Sequence, residues 1–377
     1  MLDLPQYPWR LLAPYKQSAS KHPDGMVDLS IGAPVDPTPQ VIQTALQAAT
    51  NWPGYPGASG TDQLRTAIAE WYSRRREVPG LTKDHVAATV GSKEFIAWLP
   101  VLMGLGPDDV IVYPTIAYPT YDIGAKIVGA TSVTADSLAE LDATTRAKVK
   151  LVWVNSPANP TGIVQDVQTL ATIVQEARTI GAVVASDECY AELGWGRWED
   201  TPIPSILHPD VTGGDLRDLL SVYSLSKQSN MAGYRAAFVA GDEQRIAALI
   251  NLRSHTGMVV PGPIQHAMIA ALADEHHVID QKDRYRKRRE HLMAAIATAG
   301  LTVEHSEAGL YLWIRDPRVS NPSADDSWEL VSRFAEAGIL VGPGVFYSAA
   351  GNGYIRASIT ASNDAIEQAA TRLNAGI

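Results

Sequence analysis

The chain has 377 residues, of which 46% are hydrophobic and 19% are charged, and its formal net charge is -10. This length is too great for one ordinary core and predicts two domains, while the acidic balance argues against nucleic-acid binding, which needs a basic surface. The single cysteine, Cys189, excludes an internal disulfide and favours a reducing compartment.

The first twelve residues, MLDLPQYPWRLL, carry an acid and two prolines before an apolar run can develop. This pattern is not that of a signal peptide. The sequence contains no run of 18 apolar residues, so we expect no membrane-spanning segment and no membrane partner. Together with the lone cysteine, these features predict a cytoplasmic protein.

The middle of the chain alternates short β-branched runs with helical patterns such as Gln165–Thr179. Strands that are buried on both faces form continuous apolar runs of this kind. The predicted fold class is therefore α/β, with a doubly wound, mostly parallel sheet. Its strands are expected at Val86–Val90, Val110–Tyr113, Val149–Val154, Ala182–Ser186, Leu220–Tyr223 and Ala236–Ala240.

The last hundred residues have a different pattern, which predicts a smaller α+β domain completed by the N-terminal segment. We place the large domain at residues 48–280 and the small one at residues 1–47 with 281–377. A basic run at 282–289, KDRYRKRR, is interpreted as a solvated helix face. The expected elements are a helix over about 276–299, strands at Leu301–Val303 and Gly309–Ile314, a helix at Trp328–Ala337, a strand at Tyr354–Ile359 and a final helix.

Ligands of such sheets bind at the carboxyl ends of the strands, and polar residues follow four of the predicted strands. Gly91-Ser92-Lys93 opens a helix, where free N–H groups attract anions, although Ser92 can equally be an ordinary cap. The segment Asn155–Gly162, NSPANPTG, predicts a rigid turn, with a cis X–Pro bond as one way to shape it. A plain tight connection is the alternative.

Two further segments carry charges to the same edge. Asp187 ends a buried strand, so its carboxylate needs a cationic or hydrogen-bonded partner, such as a protonated pyridine nitrogen. A helix cap or an internal ion pair is the alternative. Lys227 follows Ser224 and Ser226, and Arg235 comes eight residues later. Lysine forms imines with carbonyls and arginine binds phosphate, although both side chains could simply face solvent.

The order of these motifs resembles the class I/II aminotransferases of the fold type I pyridoxal-phosphate (PLP) enzymes. The matching patterns are N-x-P-x-N-P-T-G, S-D-E-x-Y and S-x-S-K with arginine eight residues on. The resemblance implies that PLP is bound as an imine on Lys227, which then moves the substrate proton. It also implies that Asp187 pairs with the ring nitrogen, that Asn159 and Tyr190 bind the ring O3′, and that Tyr118 stacks on the ring.

The resemblance also implies how the two anionic groups are bound. The phosphate would be held by the backbone of Ser92 and Lys93 together with Ser224, Ser226 and Arg235. Tyr55 would reach the phosphate of the neighbouring subunit in a homodimer with shared active sites. The substrate α-carboxylate would be bound by Arg356, with help from Gly32 and Asn159.

Within this family the chain most resembles the bacterial N-succinyldiaminopimelate aminotransferases of lysine and diaminopimelate biosynthesis. The stretches that carry this likeness are His22–Gly25 with Val27–Ser30, Gly91–Glu94 with Ala97–Pro100, Ala117–Asp122 and Ala308–Trp313. The likeness implies amino transfer from glutamate to N-succinyl-2-amino-6-oxopimelate. Because the distal part of that substrate is long and anionic, a cation that reads it is expected, and Lys16 is a candidate.

Several alternatives are weighed against this function. Another class I/II aminotransferase, acting on N-acetylornithine, aspartate or aromatic substrates, or a fold-type-I lyase or acyl-CoA-dependent synthase would share the cofactor motifs. A PLP-binding transcription regulator would need a basic domain ahead of the pattern, which begins by Ile31. The sequence has no H-E-x-x-H, C-x-x-C or G-x-S-x-G motif, so neither a metal site nor a serine nucleophile is predicted.

The chain departs from the family pattern at two places. Ala237 stands where G-x-R-x-G usually ends in glycine, and Gly32-Ala33-Pro34-Val35-Asp36 replaces the usual G-x-P-D. The first change exchanges one small residue for another, and at the second only Gly32 is given a role.

Overall fold

The computed structural model describes residues 4–377. Its strands are β1 (Val27–Asp28), β2 (Val86–Val90), β3 (Val110–Tyr113), β4 (Thr131–Thr134), β5 (Val149–Asn155), β6 (Val183–Asp187), β7 (Leu219–Ser224), β8 (Ala236–Gly241), β9 (Thr302–Glu304), β10 (Tyr311–Arg315), β11 (Ile339–Leu340), β12 (Gly342–Pro343) and β13 (Tyr354–Ser358). Its helices are α1 (Ala13–Ala19), α2 (Gln40–Ala48), α3 (Asp62–Arg75), α4 (Ser92–Leu102), α5 (Thr120–Val128), α6 (Ala143–Ala147), α7 (Val167–Ile180), α8 (Pro209–Thr212), α9 (Leu225–Gln228), α10 (Glu243–Thr256), α11 (Gly262–Ala273), α12 (His276–Thr298), α13 (Ala324–Glu336) and α14 (Asn363–Asn374).

The large sheet has the strand order β2-β8-β7-β6-β5-β3-β4. The pairs from β7 to β4 are parallel, and β8 runs antiparallel to both of its neighbours. The predicted α/β class and mostly parallel sheet are therefore confirmed, as are the six predicted strands. The sequence did not predict β4, because its residues are polar and partly exposed at the sheet edge.

Both faces of this sheet are covered, which explains the continuous apolar runs. Ala87 and Ala88 are neighbours in β2, yet their side chains belong to core clusters on opposite faces, because successive side chains of a strand alternate. Helix α7 packs against one face and has clear end signals. The side chain of Asp166 accepts the Thr169 N–H at 2.8 Å, and Gly181 ends the helix in the left-handed conformation.

A second sheet, of order β12-β13-β10-β9, packs with α12, α13 and α14 around a separate apolar cluster. Strand β1 pairs in parallel with β11, so the N-terminal segment joins this smaller unit. Helix α2 packs instead with the core of the large sheet, through the fully buried Ile42. The boundaries near residues 47 and 280 stay predictions, and this packing favours moving the first one towards the N-terminus.

The interpretation of the basic run in α12 as a solvated face is wrong for most of its residues. Arg288 is buried and makes a bidentate ion pair with Asp36 at 2.7 and 2.8 Å. Lys282 and Arg286 bind Glu199. Arg288, Arg286 and Lys282 therefore bind α12 to other segments of the chain. Their positive charges are compensated by Asp36 and Glu199, which lie far from them in the sequence.

None of the helices between residues 4 and 377 combines the length and the hydrophobicity needed to cross a bilayer.

Candidate active site

Strands β2, β5, β6 and β7 end at the same edge of the large sheet, and the polar residues that follow them surround one cavity of about 240 Å³. We call it the sheet-edge cavity. Of the predicted site residues, it is lined by Gly32, Ser92, Lys93, Tyr118, Asn159, Asp187, Tyr190, Ser224, Ser226, Lys227, Arg235 and Arg356. Tyr55 lies elsewhere and is fully exposed to solvent.

Lys227 lies on α9, the short helix that directly follows β7. The hydroxyl of Ser224 caps this helix by accepting the Ser226 N–H at 3.2 Å. The Lys227 ammonium donates to the carbonyl oxygen of Gly32, and no carboxylate in residues 4–377 lies within ion-pair distance of it. The amine is thus held inside the cavity by a backbone carbonyl and not by an ion pair.

Asp187 is the last residue of β6 and opens into the cavity. Its carboxylate accepts hydrogen bonds from the Tyr121 hydroxyl and the Cys189 N–H, each at 3.2 Å. The surrounding protein removes water from this group and raises its pKa, although those hydrogen bonds and the charge of Lys227 oppose the shift. Within the described chain Asp187 has no ion-pair partner, so the site leaves room for a cation such as a protonated ring nitrogen.

A candidate anion site lies at the start of α4. Gly91 has φ +83°, and a Cβ there would lie 1.9 Å from the guanidinium of Arg235, so glycine is needed for the close approach of Arg235 to this helix end. The Ser224 hydroxyl donates to the Ser226 hydroxyl at 2.8 Å nearby. A helix N-terminus, two hydroxyls and an arginine form a set that suits a phosphate group.

The turn after β5 positions Asn159. The Asn155 side chain accepts the Asn159 N–H at 2.8 Å and donates to the Asp187 carbonyl at 3.0 Å. The bonds preceding Pro157 and Pro160 are both cis, as the prediction of a specially shaped turn allowed. The turn thereby ties Asn159 to the end of β6.

Arg356, on β13, is 2% exposed and lines the same cavity as Lys227. Its guanidinium donates to the Asn159 side-chain oxygen at 3.0 Å and to the Ser30 carbonyl at 2.7 Å. The guanidinium carbon of Arg356 lies 3.9 Å from the centre of the Tyr311 ring. No carboxylate of the described residues pairs with it, and its Nε has no partner. A buried guanidinium in this state suits a substrate carboxylate.

Sequence reasoning did not assign Tyr7, Trp9 or Tyr311 to the site, although all three line the cavity. The Tyr190 hydroxyl donates to the Tyr311 hydroxyl at 3.4 Å, and a Cβ on Gly32 would lie 2.2 Å from that oxygen. Burial alone would raise the pKa of Tyr311, but the charges of Arg356 and Lys227 together with hydrogen bonds from Tyr190 and Arg356 lower it. Tyr311 thus links the substrate side of the cavity to Tyr190.

The candidate Lys16 for the distal part of the substrate is exposed on α1 and lines neither the sheet-edge cavity nor the larger cavity beside it. Its neighbour Tyr15 stacks on Trp328, which directs that face of α1 into the small unit. The structure therefore does not support the assignment of Lys16.

The residues of the cavity fit pyridoxal phosphate. The candidate anion site suits a phosphate, Asp187 suits a protonated ring nitrogen because no described residue forms an ion pair with it, and Lys227 is an amine in the same cavity. Each feature is independent of the others, and together they cover the charges of that cofactor and of an amino-acid carboxylate.

Comparison with known proteins identifies the same family by overall sequence and by structure. The family model for aminotransferase class I and II matches residues 24–373. A 4-dedimethylamino-4-oxo-anhydrotetracycline transaminase of Streptomyces rimosus is 48% identical over 99% of this chain and 100% of its own length. An LL-diaminopimelate aminotransferase of Aquifex aeolicus is 33% identical over 98% of this chain and 96% of its own.

The solved structure of a probable N-succinyldiaminopimelate aminotransferase from Thermus thermophilus is also similar. It superposes with a TM-score of 0.86 at 26% identity and covers 98% of this chain and 100% of that one. These similar proteins share amino transfer in their names and differ in substrate.

Proposed function

The chain belongs to the class I and II aminotransferases, which depend on PLP, and we propose that it transfers the amino group of L-glutamate to N-succinyl-2-amino-6-oxopimelate. The products would be N-succinyl-LL-2,6-diaminopimelate and 2-oxoglutarate, so the enzyme would be a succinyldiaminopimelate transaminase of lysine and diaminopimelate biosynthesis. The likeness to the Thermus thermophilus protein supports this substrate, and the geometry of the sheet-edge cavity supports the reaction type.

The cofactor would be held by groups at three points of the cavity. Asp187 would keep the ring nitrogen protonated, so that the bound cofactor can act as an electron sink for the substrate α-carbon. Asn159 already accepts from Arg356 through its side-chain oxygen, which leaves its amide N–H₂ to donate to the ring O3′ beside Tyr190. Tyr118 would cover the ring. The phosphate would be bound by Ser92, Lys93, Ser224, Ser226 and Arg235.

Lys227 would move the proton that amino transfer requires. With the cofactor and substrate bound, the free Lys227 amine would serve as the base that takes the proton from the substrate α-carbon and returns it during amino transfer. Arg356 would hold the α-carboxylate during both halves of the reaction, with Gly32 and Asn159 beside it. The observation that carries the reaction type is the meeting of Lys227, Asp187 and Arg356 in one cavity, where none of the three has an oppositely charged side chain within ion-pair distance among the described residues.

The substrate is tested by measuring kcat/KM for N-succinyl-LL-2,6-diaminopimelate beside N-acetylornithine, aspartate, and aromatic and branched-chain amino acids. We expect the succinylated substrate to have the highest value. A tenfold higher value for any of the others would overturn the named reaction and leave the family assignment intact.

A polycyclic oxo compound is the second candidate acceptor. The observation that favours it is the 48% identity, over nearly the whole chain, to the Streptomyces rimosus transaminase. Direct transamination of LL-diaminopimelate is supported more weakly, by the relative at 33% identity. Adding these two compounds to the same kcat/KM series ranks all three candidates.

We further propose that the active unit is a homodimer in the cytoplasm. Tyr55 is fully exposed, in a segment outside the sheet-edge cavity, and its hydroxyl is proposed to complete the phosphate site of the partner subunit.

A further inference from the structure

A second cavity, of about 640 Å³, adjoins the sheet-edge cavity. The two share four lining residues, Tyr7, Trp9, Lys93 and Tyr118. Away from that shared wall the second cavity is lined mainly by apolar and aromatic side chains, which come from the N-terminal segment, from α4 and α5, and from the small unit. We call it the distal pocket, and among its residues are Leu4, Ala97, Ile123, Lys126, Trp328 and Phe346.

Trp9 connects the distal pocket to the proposed carboxylate site. The centre of its ring lies 5.7 Å from the guanidinium carbon of Arg356 and 5.3 Å from the ring of Phe346. Its indole N–H donates to the Ser30 carbonyl at 3.4 Å, the same oxygen that accepts from Arg356. A substrate bound through its α-carboxylate at Arg356 therefore has Trp9 beside it, and the distal pocket begins on the other side of that ring.

The two lysines that line the distal pocket differ in whether an acid pairs with them. Lys126 is paired with Asp122 at 2.5 Å. The Lys93 ammonium lies 3.2 Å from the Tyr118 hydroxyl and 5.1 Å from the centre of the Tyr7 ring, and no carboxylate of residues 4–377 pairs with it. The shared wall thus carries a cation that aromatic rings flank but no acid neutralises.

We propose that the distal pocket binds the far part of an amino acid or 2-oxo acid whose side chain is long, has an apolar body and carries an anionic group within reach of Lys93. A pocket of this size holds far more than the side chain of glutamate or aspartate, and its apolar walls stabilise a hydrocarbon body. The inference rests on the proposed transamination in the sheet-edge cavity and defines the substrate class that this site takes.

The test fills the pocket without touching the sheet-edge cavity. Ala97 lines the distal pocket from α4 and is absent from the lining of the other cavity. In Ala97→Leu we expect the ratio of kcat/KM for a long substrate to kcat/KM for L-glutamate to fall at least tenfold. The long substrates are N-succinyl-LL-2,6-diaminopimelate and L-2-aminooctanoate. Ile123→Phe, on α5, is a second variant that fills the distal pocket, for use if Ala97→Leu folds poorly. Ala297→Leu makes the same exchange on the exposed face of α12, and it should leave the ratio unchanged.

A binding measurement separates this claim from catalysis. The probe is 6-(succinylamino)hexanoate, which has a long chain and two carboxylates but no amino or oxo group that can react. We expect its calorimetric Kd on the PLP-loaded enzyme to rise at least tenfold in Ala97→Leu, while the Kd of glutarate changes much less. Equal changes for both ligands, or an unchanged ratio in both filling variants, would overturn the distal pocket. If the enzyme uses L-2-aminooctanoate but not the succinylated substrate and the ratio still falls, the named reaction and the anionic group near Lys93 are both overturned, while the apolar part of the distal pocket stands.

Discussion

The sheet-edge cavity and the distal pocket share a wall, but different parts of the chain form them. The charged and phosphate-facing part of the sheet-edge cavity is made of residues at or just after the ends of strands, so the backbone of the sheet fixes where Ser92, Asp187 and Lys227 lie. The distal pocket is made where the N-terminal segment, two helices and the small unit meet. The difference suggests that the reaction type is set by the sheet, whereas substrate choice is set by packing between separate segments.

The largest expected effect is at Lys227. Lys227→Ala should abolish transamination, because the amine proposed to carry the cofactor and move the proton is gone, whereas PLP should still bind through the proposed phosphate site and Asp187. Borohydride reduction followed by mass spectrometry measures the covalent link. A reducible link between PLP and the variant protein would show that another lysine carries the cofactor.

Asp187 should have the next largest effect. Asp187→Asn removes the charge that keeps the ring nitrogen protonated, so single-turnover removal of the α-proton should slow by several powers of ten, each of which corresponds to about 1.4 kcal/mol of barrier. The measurement is a stopped-flow half-reaction with L-glutamate. Near-normal rates would reduce Asp187 to a structural cap for the backbone of Cys189.

Although Asp187→Asn should slow the reaction, it should increase the folding stability of the cofactor-free protein. Burial raises the pKa of Asp187, and a carboxyl with a raised folded-state pKa contributes stability below its unfolded pKa of about 4 that is lost as the pH rises through the folded value. At pH 7 the charge is therefore a cost, and cofactor-free Asp187→Asn should be more stable than wild type by about 1 kcal/mol.

Chemical denaturation between pH 4 and 8 measures this difference. It should shrink towards the acid end of the range, where wild-type Asp187 becomes protonated. PLP should then stabilise the wild type more than the variant. A variant that is less stable at every pH would mean that the hydrogen bonds of Asp187 outweigh the cost of its charge.

A smaller and more indirect effect is expected at Tyr55. If Tyr55 serves the partner's site, then mixing Lys227→Ala subunits with weakened Tyr55→Phe subunits places both changes in one site of each heterodimer and leaves the other site intact. Activity should recover above the mean of the two separate variants. Heterodimers that form, as native mass spectrometry would show, but recover no activity would place Tyr55 outside a shared site.

The two regions also differ in how far the sequence predicts them. Ser92, Asp187 and Lys227 of the sheet-edge cavity lie within a few positions of the ends of buried strands, so the apolar runs locate them. Strand β4 was missed because its polar, partly exposed residues give no such run. The buried ion pair of Arg288 with Asp36 was missed because its partners are 252 residues apart.

Tyr7, Trp9 and Tyr311 illustrate the same limit at the site. Tyr7 and Trp9 precede the first α-helix in a segment with no periodic pattern, and Tyr311 lies in a strand where an aromatic residue suits any core. Only the packing of the small unit against the sheet edge brings them to Arg356 and Lys227. The signal that could have found Tyr311 is its place within the Ala308–Trp313 stretch that carried the family resemblance.

The half-reaction with L-glutamate alone tests the central claim most directly, namely that the sheet-edge cavity performs amino transfer. On the PLP-loaded enzyme with no acceptor present, we predict that one equivalent of 2-oxoglutarate forms per active site and that the cofactor is converted to its amine form. If no 2-oxoglutarate forms until a second substrate is added, or if glutamate is decarboxylated instead, the cavity performs a different PLP reaction and the account is contradicted.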